Sequence, residues 1–380
     1  MKLLVVSHAC VTPVNQSFFA DVAEVCGFDV SLVVPNRWRT EYGPIEGVQR
    51  WPKFSGEIVR TPVILKGNIP LHIYAAFAGN IVCAVQPDFV YIHHDAHALA
   101  TAQFMLACNR WHKPFAFYSA QNIYKKYPMP FSALERKVFD SAGMAFPLSN
   151  TVLDVLRAKG YRGRATVLPL PVDTTVFNKD SAARARLRGE LNLRADEQVI
   201  GYIGRLAPEK GVHILLQAMT LLQDLPFKLM IAGHGSAEQS LRHMVATLDL
   251  ADRVIFAGYV AHERAGQWLN AMDVLLVPSL TTATWKEQFG RVVIEAMACG
   301  VSVIGSDSGE IPVLVRATGG GIVVKEGDPP VLAEALRSLL RDAELRGRLG
   351  EMGRHHVRET FSNHALARRF GDAMLECLDA

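Results

Sequence analysis

At 380 residues the chain is too long for one comfortable core and suits two domains of ordinary size. Its 49% hydrophobic and 20% charged content places it among soluble globular proteins, and a formal net charge of +3 is too small to argue for a nucleic-acid partner. Six cysteines, at positions 10, 26, 83, 108, 299 and 377, show no C-x-x-C spacing, so neither a disulfide framework nor a zinc site is indicated, and reduced thiols in a cytoplasmic protein are expected.

Strand-like and helix-like runs alternate from the first residues, the α/β pattern of parallel sheets. The apolar run Leu3–Val6 is too short for a signal-peptide core and reads as part of a first strand, 2–7. A helix over 16–26 and a strand over 28–34 follow, then an irregular stretch over 36–70 with short β-like pieces. Residues 73–85 read as a helix, interrupted by Asn80 and well short of the roughly 20 residues a bilayer span needs. Strands at 89–92, 115–118 and 144–147 alternate with helices at 98–110, 132–141 and 151–159, completing a Rossmann-like unit. Pro169, Pro171 and Asp173 mark a linker. Beyond it come a charged helix at 184–193 and strands at 199–203, 228–232, 254–256, 274–277 and 301–304. The intervening helices fall at 213–220, 238–248 and 263–270, and three more close the chain at 330–341, 343–359 and 363–378. The expected architecture is two doubly wound domains, 1–168 with the final helix 363–380, and 169–362, with ligands at the carboxyl ends of their strands facing a cleft.

Three stretches of the second half carry chemistry. In KEQFGRVVIEAMACG (286–300), Glu287 and Glu295 lie eight residues apart. On one helix that spacing would turn them about 80° from each other, so a loop position for Glu287 and a helical one for Glu295 fit better. Gly290 then marks a helix entry with unpaired backbone N–H groups. Such carboxylates suit a polyol; a solvated loop glutamate and a glutamate at a favourable dipole end is the plainer alternative. In GRLAPEKG (204–211), Arg205 and Lys210 set two cations at a strand-to-helix junction, able to share the charge of a diphosphate or simply to be solvated. Gly233-His234-Gly235 begins like a dinucleotide loop but lacks the third glycine, and the strand at 254–256 does not end in the acidic residue that would hold an adenosine ribose. A small turn admitting phosphate or sugar to a helix N-terminus remains compatible with it.

Taken in order, GRLAPEKG, IAGHG, FAGYV, DVLLVPS and the Glu287/Glu295 stretch running into AMACGVSVIGSDSGEIPVL resemble the C-terminal half of a GT-B glycosyltransferase, more narrowly the retaining family 4 enzymes that use nucleotide-diphosphate sugars. The resemblance is specific over about 167–360 and architectural over 1–166. It implies that Arg205 and Lys210 neutralise the donor diphosphate and that Glu295 binds the ribose. It further implies that Glu287 holds the donor sugar, with Phe289 and Gly290 presenting backbone N–H groups, and that backbone near Tyr259 meets the base. Gly233 and Gly235 would flank the donor. UDP or GDP is the expected carrier, the acceptor a hydroxyl of a glycan, a lipid-linked or a small molecule, and no metal or other cofactor is needed. An epimerase or phosphorylase of the same fold, or a nicotinamide-dependent oxidoreductase, stands as the alternative. The sequence departs from the family in two places. The loop SHACVTPVNQS after the first strand lacks the glycine pair of many relatives, and the histidines cluster at His93, His94 and His97 rather than after the strand at 115–118. His94 is accordingly the histidine expected near the donor sugar, against the alternative of a helix-capping or wall-filling role. Arg37-Trp38-Arg39 and Tyr124-Lys125-Lys126-Tyr127 combine cations with aromatics that could touch a membrane surface peripherally, or form an ordinary solvated face. Arg184–Arg188, with arginines at alternate positions, is expected on an exposed helix.

Overall fold

The computed structural model describes residues 1–40, 43–194 and 196–379. Positions 41–42 of the irregular stretch and position 380 of the expected final helix lie outside them. The chain divides into two compact units: Met1–Pro171 together with Asn363–Ala380, and Val172–Ser362.

Unit 1 is built on a seven-stranded parallel sheet in the spatial order Arg164–Ala165, Met144–Pro147, Phe115–Ser119, Phe89–Ile92, Lys2–Val6, Asp29–Pro35, Glu57–Thr61. Its central strands are apolar on both faces because helices cover both sides, which is why they read as unbroken hydrophobic runs. The order reverses between Lys2–Val6 and Phe89–Ile92, where Leu3 pairs with Phe89 and Val6 with Ile92. The last helix, Asn363–Leu378, packs in this unit: Phe370 sits among Phe18, Tyr91 and Phe146, and Asn363 Nδ2 donates to Ser17 Oγ at 3.1 Å.

Unit 2 holds a six-stranded parallel sheet in the order Val254–Gly258, Phe227–Ala232, Gln198–Ile203, Val274–Val277, Ser302–Ser306, Gly321–Val324. Both sheets therefore have the doubly wound arrangement in which successive strands step outward from the first in one direction and then in the other. Right-handed crossovers produce that order when helices must cover both faces. The two switch points, where the direction changes, leave crevices at the carboxyl edges that loops alone can fill.

Three expectations are corrected. Residues 73–85 are not one helix: Ile73–Tyr74 is a strand paired antiparallel with Val63–Ile64, and the helix begins at Ala78. The Gln103 side chain holds the Tyr74 backbone at both its N–H (3.0 Å) and its C=O (2.7 Å), bonds that a helix would have consumed. The arginines of helix Ser181–Glu190 are not a solvated face: Arg188 is 4% exposed and, with Arg184, bonds Asp273 and the carbonyls ahead of strand Val274–Val277. Trp38 is buried among histidines rather than displayed beside Arg37 and Arg39, so its ring is not offered to a bilayer surface. Helix Ile311–Thr318 and strand Gly321–Val324 have no counterpart in the expected order of elements. Among the described residues no helix is long and apolar enough to cross a membrane.

Candidate active site

At the switch point of unit 2, Gln198–Ile203 runs beside Val274–Val277, with Gly201 opposite Leu275. The loops leaving these strands are therefore forced together. A Cβ at Gly211 would lie 1.9 Å from the Pro278 carbonyl oxygen, and its φ of +68° is in the left-handed region, so glycine is required on both counts. Glu209 C=O accepts from Leu280 N–H at 2.8 Å, stitching the loops across. Their side chains then meet: Lys210 Nζ donates to Glu287 Oε2 at 2.7 Å, and Ser279 Oγ donates to the same oxygen at 2.9 Å. The Lys210 ammonium also lies 4.7 Å from the Trp285 ring. Arg205, on the same loop, pairs with Glu209 at 3.2 Å and keeps about a third of its side chain exposed. The loop position expected for Glu287 is the one observed.

Gly290, with φ +81°, turns the chain into helix Arg291–Ala298. Glu295 lies within that helix, 6% exposed, and its Oε1 is 2.8 Å from His262 Nε2. His262 opens helix His262–Ala271, with its ring against Phe177 at 5.1 Å. No sequence signal singled it out, because the partner is 33 residues away and joined only through the fold. The Phe289 side chain is buried, leaving only backbone to offer at that position, whereas Tyr259 is half exposed just after strand Val254–Gly258.

The loop Gly233-His234-Gly235 lies against the 204–206 loop, with Leu206 N–H donating to His234 C=O at 2.9 Å. A Cβ at Gly233 would meet the Gly204 carbonyl oxygen at 1.8 Å, and one at Gly235 the Leu206 carbonyl oxygen at 2.3 Å. The close approach that needs these glycines is thus backbone to backbone. His234 Nδ1 bonds Glu238 at 2.7 Å, and this bond, followed by that from Arg242, holds the Glu238 carboxyl below its usual range.

In unit 1 the three histidines after Phe89–Ile92 separate. His93 Nδ1 lies 3.0 Å from Ser7 Oγ, and His97 stacks on Tyr127 at 4.1 Å between ring centres. His94 is 2% exposed; its Nδ1 is 3.1 Å from His8 Nδ1, and its ring lies 4.9 Å from that of His72. Burial, then His72, then His93 push the His8 imidazole down to about 3. Burial also lowers His72, and burial followed by the neighbouring histidines takes His94 far below the usual imidazole value. The glycine-free loop after the first strand is rebuilt as two short 3₁₀ turns, Ala9–Val11 and Pro13–Gln16. Asn15 and Gln16 are its internal struts: Gln16 Nε2 donates to Cys10 C=O and Gln49 C=O, and its Oε1 accepts from Trp51 N–H.

Residues 183–356 match the family described as glycosyl transferases group 1. The match falls within unit 2, Val172–Ser362. The chain is 28% identical over 340 residues to a D-inositol 3-phosphate glycosyltransferase of Stackebrandtia nassauensis, covering 81% of this chain and 74% of that protein. It is 29% identical over 200 residues to an N-acetyl-alpha-D-glucosaminyl L-malate synthase of Bacillus anthracis, covering 52% of this chain and half of that one. Its fold matches Anabaena HepE, solved in complex with UDP, with a TM-score of 0.77 at 18% identity over 99% of this chain and all of that one. The fold is thus GT-B, two Rossmann-like parallel-sheet domains, as expected.

Proposed function

We propose that the protein transfers a glycosyl group from a nucleoside-diphosphate sugar to a hydroxyl acceptor, with retention at the anomeric carbon and without a divalent cation. The observation that carries this reading is the Lys210–Glu287 contact at the switch point of unit 2. It couples a cation suited to the diphosphate with a carboxylate suited to sugar hydroxyls, at the edge where doubly wound sheets bind nucleotides. Arg205 and Lys210 share the charge that develops as the diphosphate leaves, the task a metal ion does elsewhere. Glu287 holds the sugar, aided by the N–H groups at Phe289 and Gly290. Glu295, oriented by His262, receives the ribose hydroxyls. Gly233 and Gly235 keep the neighbouring loop low beside the phosphates, and backbone near Tyr259 meets uracil or guanine. In the transfer, the bond from the anomeric carbon to the diphosphate oxygen breaks. A bond to the acceptor oxygen forms on the same face, and the acceptor's proton passes to the departing phosphate. Glu287 is therefore a binding group and not a nucleophile. His94, expected near the donor sugar, is 2% exposed and takes no part in this reading.

The test is calorimetric titration with UDP, GDP, ADP and NADH of the native chain and of Arg205→Ala. One nucleoside diphosphate should bind, and the variant should lose about tenfold or more, the worth of one charge-assisted contact. Binding of NADH indifferent to Arg205, or of no diphosphate at all, refutes the reading. A proton NMR spectrum of the product then decides retention, and turnover without Mg²⁺ or Mn²⁺ decides metal independence.

A further inference from the structure

The switch point of unit 1 holds a group of side chains that the proposed transfer does not use. His8 follows the first strand, His94 follows the strand beside it, and His72 comes in on the turn that precedes strand Ile73–Tyr74. One ring nitrogen from each of the three lies within 4.8 Å of the other two. Their surroundings are aromatic, with Trp38 at 5.0 Å from both His8 and His72 and Tyr74 at 5.6 Å from His72. No carboxylate belongs to the group.

Hydrogen bonding fixes what these rings can offer. His72 Nδ1 lies 2.9 Å from the Ile69 carbonyl oxygen, an acceptor only, so Nδ1 carries the proton and Nε2 is a bare lone pair. That Nε2 is buried and has no hydrogen-bond partner, and neither has His94 Nε2. His72 is fully buried and His94 nearly so, which makes two orphaned polar atoms in one apolar cage an unfavourable arrangement unless something binds them. Donation of the other ring N–H to a backbone carbonyl is also how metal-ligating histidines are held. Two nitrogens on a tetrahedral zinc ion with ~2.05 Å bonds lie roughly 3.3 Å apart, against the 4.8 Å within which the three ring nitrogens fall here.

We propose that His8, His72 and His94 form a three-imidazole site for a divalent transition metal, zinc foremost, at the carboxyl edge of the unit 1 sheet. Three nitrogen ligands leave one tetrahedral position for water or another small ligand. Metal binding closes the widest nitrogen pair by at most about 1.5 Å. Imidazole does not select Mg²⁺, so this site is separate from any requirement of the donor diphosphate and does not rest on the glycosyltransferase reading. It departs from the sequence expectation that no metal binds.

The test uses the full chain stripped with chelator and titrated with ZnCl₂ in a calorimeter, then with CoCl₂ in a visible spectrometer. The expected result is one equivalent of Zn²⁺, a cobalt spectrum of tetrahedral type that zinc erases, and a higher melting temperature with zinc. His72→Gln should weaken zinc binding by about a hundredfold or more. His8→Asn, at a partly exposed position, provides the same readout should His72→Gln not fold. Absence of stoichiometric zinc binding, or binding and a melting shift that survive both substitutions, overturns the proposal and leaves a stack of neutral imidazoles.

Discussion

Asp273→Ala should be the most damaging single change at the root of the unit 2 sheet. The Asp273 side chain, 13% exposed, accepts from Arg184 at 2.7 Å, from the Val199 backbone N–H at 2.7 Å, and sits 3.5 Å from Arg188. Its removal takes from the Arg188 guanidinium, 5% exposed, its ion-pair partner. Removing one partner of a buried pair costs about 3–5 kcal/mol, and the lost bond to Val199 about another 1 kcal/mol. Arg188 keeps the carbonyls of Ala271, Arg194 and Glu197, which temper the loss. The expected destabilisation is therefore about 3–4 kcal/mol. Arg184→Ala should cost only about 1 kcal/mol, because a third of that side chain is in solvent and its charge is screened. Equilibrium urea unfolding followed by far-ultraviolet circular dichroism measures both. An Asp273→Ala loss under about 1 kcal/mol, or an Arg184→Ala loss equal to it, would show that the buried pairing does not hold this edge.

The other expectations are more local. His262→Phe should weaken nucleoside diphosphate binding about tenfold by leaving the Glu295 carboxylate unbonded, while His262→Gln should retain most of the affinity; equal affinities for native and Phe proteins would remove His262 from its positioning role. Gly309→Ala should cost at least about 1–3 kcal/mol and lower turnover, since its Cβ would lie 1.9 Å from the Glu287 carbonyl oxygen at φ +56°; native turnover in the variant would detach the Glu287 loop from catalysis. Burial lowers the His213 imidazole, so the unfolded chain takes up this proton first and stability falls as pH drops below the unfolded value of about 6.5. His213→Gln should flatten that fall between neutral pH and about pH 5.5, read from urea midpoints, and an unchanged fall would contradict the assignment.

What lies close together in the chain was legible in the sequence. Buried parallel strands announce themselves as apolar runs because both faces are covered, and their alternation with helices is enough to give the doubly wound class. The loops 204–211 and 286–295 were legible for the same local reason: glycines and charges at strand ends mark where backbone must turn tightly and side chains face a ligand. Pairing across the sheet was not. Lys210 and Glu287 are 77 residues apart, and only the reversal of strand order brings their loops together. His262 reaches Glu295, and His8, His72 and His94 converge, through the same kind of strand adjacency. Arg188 shows the limit most clearly. Its spacing on a charged helix reads as solvent-facing, yet helix Ser181–Glu190 docks where Asp273 and unpaired carbonyls at the strand's start need cations. Composition and periodicity determine which elements form; which charges lose their water is decided by what each element packs against.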